Sequence, residues 1–239
     1  MKHKILHSIY TIFEDWSSKS NPHLACCKGC STCCTQNVTI TALEGEDILR
    51  YVITKKMVDK FATALLQSTD FSRPKYTTND FAKACLDGRD LDPEIQSDNG
   101  GCPFLENNLC TIYPVRPFSC RLFVSDVTCS PGNPAQVSDL HLEASTAVTQ
   151  VIEHLGQKEY WGNMFDVLLA LLDIGEYREI ADRFNQTLII QARMCTLTAK
   201  PLPGFLLSEE EGPKVAQLLE TIFETEVDHK RIEDILNGK

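Results

Sequence analysis

The sequence lacks the features that define three large classes of protein. No run of apolar residues is long enough to cross a membrane, since a spanning helix needs about 20 of them in succession. The 33 Asp and Glu residues outnumber the 23 Lys and Arg residues, which gives a net charge of -10 and argues against a nucleic-acid partner. The amino-terminal segment reaches Glu14 and Asp15 before any long apolar core develops, unlike a signal peptide. We therefore expect a cytoplasmic protein in a reducing compartment.

Motifs of common enzyme classes are also missing. The sequence has no glycine-rich phosphate loop, no dinucleotide fingerprint and no nucleophile-elbow serine. No catalytic residue is identified, and whether the chain is an enzyme stays open at this stage. Its 239 residues and 43% hydrophobic content are typical of one folded domain, which we predict to span residues 1–239.

Cysteine, in contrast, is abundant and unevenly placed. Of the 11 Cys residues, all but Cys195 precede residue 130, and five fall within Cys26–Cys34. In a reducing compartment, clustered cysteines are more often metal ligands or catalytic thiols than disulfide partners. Cys85 and Cys195 lie apart from the cluster in helix-like stretches, and we expect both to be small core residues.

The first cluster has the spacing of a chelating loop. It contains Cys27-Lys-Gly-Cys30-Ser-Thr-Cys33-Cys34, and a Cys-x-x-Cys turn aims two sulfurs at one metal. Three thiolates at this spacing match three corners of an iron–sulfur cube, a pattern that ends in Cys-Pro in bacterial ferredoxins. A Cys-Pro pair is present far downstream at Cys102-Pro103. Cys26 is ambiguous, because it is either a ligand or merely an adjacent thiol.

A second region, rich in Gly, Pro and Asn, completes the set of candidate ligands. The eight candidates are Cys27, Cys30, Cys33, Cys34, Cys102, Cys110, Cys120 and Cys129. Eight thiolates fit two closed tetrahedral zinc sites, or one four-cysteine iron–sulfur cluster with thiols to spare. We expect Arg116 and Arg121, which flank Cys120, to offset thiolate charge, and Tyr113 to pack over the cofactor.

Periodicity predicts a mainly α fold with little or no β-sheet. Thr41 and Glu44 form a capping-box pattern that opens one helix. Apolar residues at helical spacing predict other helices over residues 4–16, 140–155, 160–172, 177–193 and 213–236. We expect these helices to pack around an irregular cysteine-rich layer at residues 20–130, with a helical carboxy-terminal region at residues 139–239.

Both cysteine regions together resemble the bacterial YkgJ-type cysteine-cluster family of zinc- or iron-chelating proteins. The resemblance lies in Cys27–Cys34, in the Thr41–Glu44 helix start and in the segment from Cys102 to Arg121, which reads Cys110-Thr-Ile-Tyr-Pro-Val-Arg-Pro-Phe-Ser-Cys120-Arg121 at its end. Family members similar to this chain include flagellin lysine N-methylases associated with iron–sulfur clusters, while most others have no assigned reaction. The resemblance thus implies a metal site and not one particular activity.

Three functions remain open from the sequence. The spacing and the Cys-Pro pair favour a four-iron iron–sulfur cluster used in redox or protein-modification chemistry. Two Zn²⁺ sites of four cysteines each would instead make a structural module that binds a protein partner. The third alternative, metal delivery or sensing, requires exposed and exchangeable ligands. The first two imply a protein partner or protein substrate.

The ligand assignment is testable by substitution. We expect Cys30→Ser and Cys120→Ser to lose metal and solubility, because the irregular backbone around them depends on ligation. Cys195→Ser should retain the metal of the unaltered protein, as measured by elemental analysis of the purified chain. Full metal retention by either of the first two variants would remove that residue from the centre.

Overall fold

Helices make up most of the chain, and strands contribute little. The computed structural model describes residues 1–68, 71–92, 100–130 and 132–238, of which 51% are helical and 9% are in strands. The predicted mainly α fold is therefore confirmed. None of the helices in these ranges is long and apolar enough to cross a lipid bilayer.

The amino-terminal part consists of helices that surround one short strand. The capping box predicted at Thr41 and Glu44 is confirmed, since each residue's side chain bonds the other's backbone N–H group. The helix predicted over residues 4–16 extends further at both ends. The elements are α1 (Lys2–Ser20), β1 (Thr39–Thr41), α2 (Ala42–Thr54), α3 (Val58–Leu66) and α4 (Thr78–Leu86).

The second cysteine region is short in regular structure but not wholly irregular. It contains a hairpin whose two turn residues, Asn107 and Asn108, have φ angles of 49° and 61°. Asn tolerates this left-handed conformation better than most residues, which suits a two-residue hairpin turn. The elements are β2 (Leu105–Glu106), β3 (Leu109–Cys110), a 3₁₀ turn (Tyr113–Val115) and α5 (Phe118–Arg121).

The carboxy-terminal part contains six helices among the described residues, together with two small sheets. Strand β4 (Tyr160–Asn163) lies at the centre of a three-stranded antiparallel sheet, between β1 and β5 (Leu197–Thr198), and β6 (Glu226–Val227) pairs with β7 (Lys230–Arg231). The helices are α6 (Asp139–Leu155), α7 (Met164–Leu171), α8 (Arg178–Ala181), α9 (Gln186–Cys195), α10 (Gly212–Glu224) and α11 (Ile232–Leu236).

Three predicted helices are shorter than periodicity indicated. Residues 160–163 are strand β4, because Trp161 pairs with Thr41 on one side and Leu197 on the other. The prediction over 177–193 is interrupted between α8 and α9, where Asn185 caps the new helix. The prediction over 213–236 is interrupted by the β6–β7 hairpin. In each case long-range pairing or a turn overrides an apolar pattern that resembles a helix.

Two apolar cores lie on either side of the start of α2. The first contains buried residues of β1, α2, α3, α7, α8 and α9, and the second contains buried residues of α1, α6, α10 and α11. Ala42 belongs to the first core and its neighbour Leu43 to the second. Helix α5 lies between them, because Phe118 is buried in the second core while Cys120 packs against the first.

The His141 side chain on α6 links the second core, through a hydrogen bond, to the chain that follows α5. It is 1% exposed, its Nε2 donates to the Leu122 carbonyl oxygen at 2.8 Å, and its Nδ1 accepts from Asn21 Nδ2 at 3.2 Å. Burial lowers the pKa of His141 below its usual 6.5, although the Leu122 carbonyl and the charge of Asp126 act in the opposite direction. The neutral ring is therefore favoured in the folded protein.

Acidification should destabilise the fold through His141. Because its pKa is lower when folded, its contribution to the free energy of unfolding is complete above pH ~6.5 and declines as the pH falls towards the folded pKa. We expect urea unfolding between pH ~7.5 and ~5.5 to show a steeper loss of stability for the unaltered chain than for His141→Gln, which does not titrate there. Equal pH dependence in the two proteins would contradict this role.

Candidate metal centre

The first cysteine cluster folds as two consecutive tight turns. The N–H group of Cys30 donates to the Cys27 carbonyl oxygen at 3.0 Å, and that of Cys34 donates to the Ser31 carbonyl oxygen at 3.0 Å. Gly29 supplies the left-handed residue of the first turn, with φ of 89°. Cys27, Cys30 and Cys33 are exposed on this loop, whereas Cys34 is half-buried.

The second cysteine region is joined directly to the end of that loop. The N–H group of Cys102 donates to the Cys34 carbonyl oxygen at 2.9 Å, and Thr35 forms an antiparallel bridge with Gly101. Cys110 stands opposite Leu105 in the β2–β3 hairpin. These backbone contacts bring Cys34, Cys102 and Cys110 together although the chain between them is long.

A buried apolar residue lies two positions after each of Cys102 and Cys110 and holds that cysteine in place. Phe104 follows Cys102 and is 2% exposed, and Ile112 follows Cys110 and is 3% exposed. Phe104 stacks on Phe61 of α3 with ring centroids 5.4 Å apart. The backbone N–H groups of Phe104 and Ile112 also act to lower the pKa values of Cys102 and Cys110, against the effect of burial. Such N–H donors stabilise thiolates that ligate a metal.

Cys120 is brought to the same place by α5. The hydroxyl group of Ser119 donates to the Thr39 carbonyl oxygen at 2.6 Å, which ties this helix to β1. The ring of Phe118 lies 4.8 Å from that of Phe13 and 6.0 Å from that of Tyr10, measured between centroids. Cys120 therefore lies near Cys102 and Cys110, whose charges act to raise its pKa, on a segment that contacts with α1 and β1 hold.

Cys129 lies on a loop whose base contacts the start of the first cluster. The Ala25 N–H group donates to the Ser125 carbonyl oxygen at 2.8 Å. The Ser125 hydroxyl oxygen accepts from the Gln136 N–H group at 3.1 Å, which closes the loop. This arrangement places Cys129 near Cys26, whose pKa its charge acts to raise.

Eight of the thiols form two sets of four, which we call the inner group and the outer group, and the predicted ligand Cys27 is assigned to neither set. The inner group is Cys34, Cys102, Cys110 and Cys120, and the last three are close enough to raise the pKa of Cys34 by their charge. The outer group is Cys26, Cys30, Cys33 and Cys129, since the charges of the last three act to raise the pKa of Cys26. The two groups adjoin at Cys33 and Cys34, and the charge of Cys33 also acts to raise the pKa of Cys120 in the inner group.

Burial and mutual repulsion disfavour free thiolates in the inner group. Burial raises the pKa of Cys102 to about 11, and it also raises the pKa values of Cys110 and Cys120. Cys34 is the exception, because the hydrogen bond from Cys33 lowers its pKa and raises that of Cys33. A bound metal ion would supply the positive charge that these sulfurs need, with release of protons.

The three predicted cofactor-contacting residues occupy different positions. Arg116 lies near the thiols, since its charge lowers the pKa of Cys110, and its guanidinium group covers the Tyr113 ring at 3.9 Å. Tyr113 itself is 57% exposed. Arg121 instead bonds the Glu14 carboxylate and the Arg116 carbonyl oxygen, the latter at 2.9 Å. It braces the segment between the hairpin and α5.

Other cysteines differ from expectation. Cys85 lies in helix α4 but is exposed, so its prediction as a core residue is wrong, whereas Cys195 is half-buried at the end of α9. Cys26 was ambiguous in the sequence, and only its contacts across the chain give it three thiol neighbours. The sequence did not indicate that Glu44 contacts α5. Its capping box predicts only the bonds to Thr41, and not the bond from the Phe118 N–H group.

The donor chemistry fits zinc or iron, since both metals bind thiolate sulfur in fours. Across the described ranges, no three His, Cys, Asp or Glu side chains already form a coordination sphere for one ion. Metal binding at either group would therefore require its sulfurs to draw together.

Comparison with known proteins assigns the family. Residues 26–145 match the model of the CxxCxxCC family, described as "Putative zinc- or iron-chelating domain". The chain belongs to this family, as the motifs indicated, and it carries a metal-chelating domain. No match was found among curated proteins or among solved structures.

The fourth ligand of the outer group is testable with two neighbouring residues. We expect Cys26→Ser to lower the metal content, because Cys26 is the thiol with Cys30, Cys33 and Cys129 as neighbours. Cys27→Ser is the matched control, since Cys27 is adjacent and is also exposed. Native mass spectrometry reports the metal bound to each variant. Loss of metal from Cys27→Ser alone would assign the position to Cys27 instead.

Proposed function

We propose that the chain is an iron–sulfur protein whose inner group binds a four-iron cluster for redox or protein-modification chemistry. The main support is the convergence of four thiols from separate segments at one half-buried place, with N–H donors on the sulfurs of Cys102 and Cys110. Four thiolates complete the ligand set of such a cluster, and burial with N–H bonds tunes its potential.

The residues of the chain would have distinct tasks around this cofactor. When bound, the cluster would supply one-electron transfer chemistry. Cys34, Cys102, Cys110 and Cys120 would hold it, and Arg116 would offset its negative charge. Arg121 would act only through the backbone that it braces. The exposed ring of Tyr113 and the exposed side chains of Leu109 and Phe123 lie on the ligand-bearing segments, which favours contact with a protein partner or protein substrate.

A second candidate is a zinc protein with two closed sites. It is favoured by the division of eight thiols into two complete sets, with the adjacent Cys33 and Cys34 in different sets. Each set satisfies one tetrahedral Zn²⁺ ion. In that case the metal would fix the loops, and the helical region would bind a partner. Exposure of Cys30 and Cys33 would also suit a role in metal delivery or sensing.

We also propose that residues 1–239 form one domain. The region after residue 139 contributes α7 and α9 to the first core and α6 and α10 to the second. Both cores also contain residues of the amino-terminal helices, so neither half buries its apolar surface alone. We place its action in the cytoplasm, where exposed thiols such as Cys30 stay reduced.

Anaerobic purification distinguishes the two candidates. We expect a brown protein with visible absorption, about four iron atoms for each cluster and acid-labile sulfide. Removal of the metal by a chelator should expose the loops to proteolysis, because their backbone depends on ligation. A colourless protein with about two zinc ions per chain would contradict the iron–sulfur proposal and support the zinc candidate.

A further inference from the structure

We propose that Glu44, a buried carboxylate that is not a ligand, positions Cys120 in the inner group. The inference rests on the proposed function to the extent that it assumes metal at this group. It assigns to Glu44 a task beyond the helix cap that its sequence motif indicates.

The carboxylate of Glu44 is 4% exposed and accepts on both oxygens. Its Oε1 accepts from the Tyr10 hydroxyl group and from the Phe118 N–H group, each at 2.8 Å. Its Oε2 accepts from the Thr41 N–H group at 2.8 Å and from the Thr41 hydroxyl group at 3.0 Å. One side chain therefore connects α1, the β1–α2 junction and α5.

Helix α5 needs this external support because it has only four residues. So short a helix is unstable alone, and its first N–H groups have no partners within the helix. Glu44 provides the partner of the Phe118 N–H group, and Cys120 follows two residues later on the same turn. A shift of α5 would therefore move the Cys120 sulfur relative to Cys34, Cys102 and Cys110.

A carboxylate is required because both sets of bonds need acceptors. In Glu44→Gln, one end of the side chain becomes an NH₂ group, which donates and does not accept. That group would face either the Thr41 N–H group or the Phe118 N–H group. One buried donor would lose its partner in either orientation, and the local backbone would have to move.

Glu153 offers a matched control at another place in the fold. It is 0% exposed, its Oε2 accepts from the Asn79 N–H group at 2.8 Å and its Oε1 accepts from the Lys200 N–H group at 2.8 Å. These bonds join α6 to α4 and to the chain after β5, away from both cysteine groups. Glu153→Gln therefore creates the same kind of defect without moving a cysteine of the inner or the outer group.

The experiment compares the metal centres of the two full-length variants. We expect both variants to unfold at lower temperature than the unaltered protein. Only Glu44→Gln should release its native metal to a chelator faster, by about tenfold, as is typical when a residue that orients a ligand is lost. It should also alter the thiolate-to-metal absorption and circular dichroism bands, with Co²⁺ substituted if the native metal is colourless.

Release and spectrum in Glu44→Gln that match the unaltered protein would overturn the inference, and so would an equal change in Glu153→Gln. If Glu44→Gln does not fold, Tyr10→Phe replaces it, because this change removes one donor to Oε1. Its control is Tyr177→Phe, since the buried Tyr177 hydroxyl group has no hydrogen-bond partner among the described residues. Faster release from Tyr10→Phe alone supports the inference, and equal release rates contradict it. If the unaltered chain holds no metal, the proposed function fails first, and the inference fails with it.

Discussion

The hydrogen bonding of one buried carboxylate, that of Glu44, underlies both the fold and the metal centre. A buried charge is very unfavourable unless nearby donors compensate it, and Glu44 has four hydrogen-bond contacts to donors. They come from α1, the β1–α2 junction and α5, so the carboxylate fixes these three elements together. Since residues on either side of the α2 start belong to different cores, the junction also joins the two cores.

The inner and outer groups differ because different forces hold their backbone. Phe104, Ile112 and Phe118 are buried next to inner cysteines, so apolar packing determines where those cysteines lie before any metal is bound. Among the residues that the structure describes, the turns around Cys30 and Cys129 contain no buried apolar side chain, and hydrogen bonds such as Ala25 to Ser125 connect these loops. Burial of apolar surface is the larger source of stability. Metal binding must therefore order more of the backbone in the outer group than in the inner group.

Local sequence patterns predicted the fold better than they predicted the grouping of the ligands. The prediction of the Thr41–Glu44 capping box was correct because all of its residues lie within four positions of the chain. The predicted helix over 160–172 was wrong at β4, because Tyr160 and Trp161 pair with residues far along the chain. The Cys-x-x-Cys spacing and the downstream cysteines indicated eight candidate ligands but not which of them lie together, and the backbone places Cys102 beside Cys34. Such pairing is set by long-range backbone bonds that spacing does not encode.

The adjacency of Cys33 and Cys34 makes the two groups dependent on each other. Their side chains leave neighbouring positions of one turn, and the N–H group of Cys34 and its carbonyl oxygen are both bonded. A metal that draws Cys34 towards Cys102 and Cys120 therefore also restricts the backbone that carries Cys33. Restriction of that backbone before the outer group binds lowers the conformational entropy that its own binding must overcome. For this reason the anchored inner group, with Glu44 behind α5, is the natural place for ordering of the whole centre to begin.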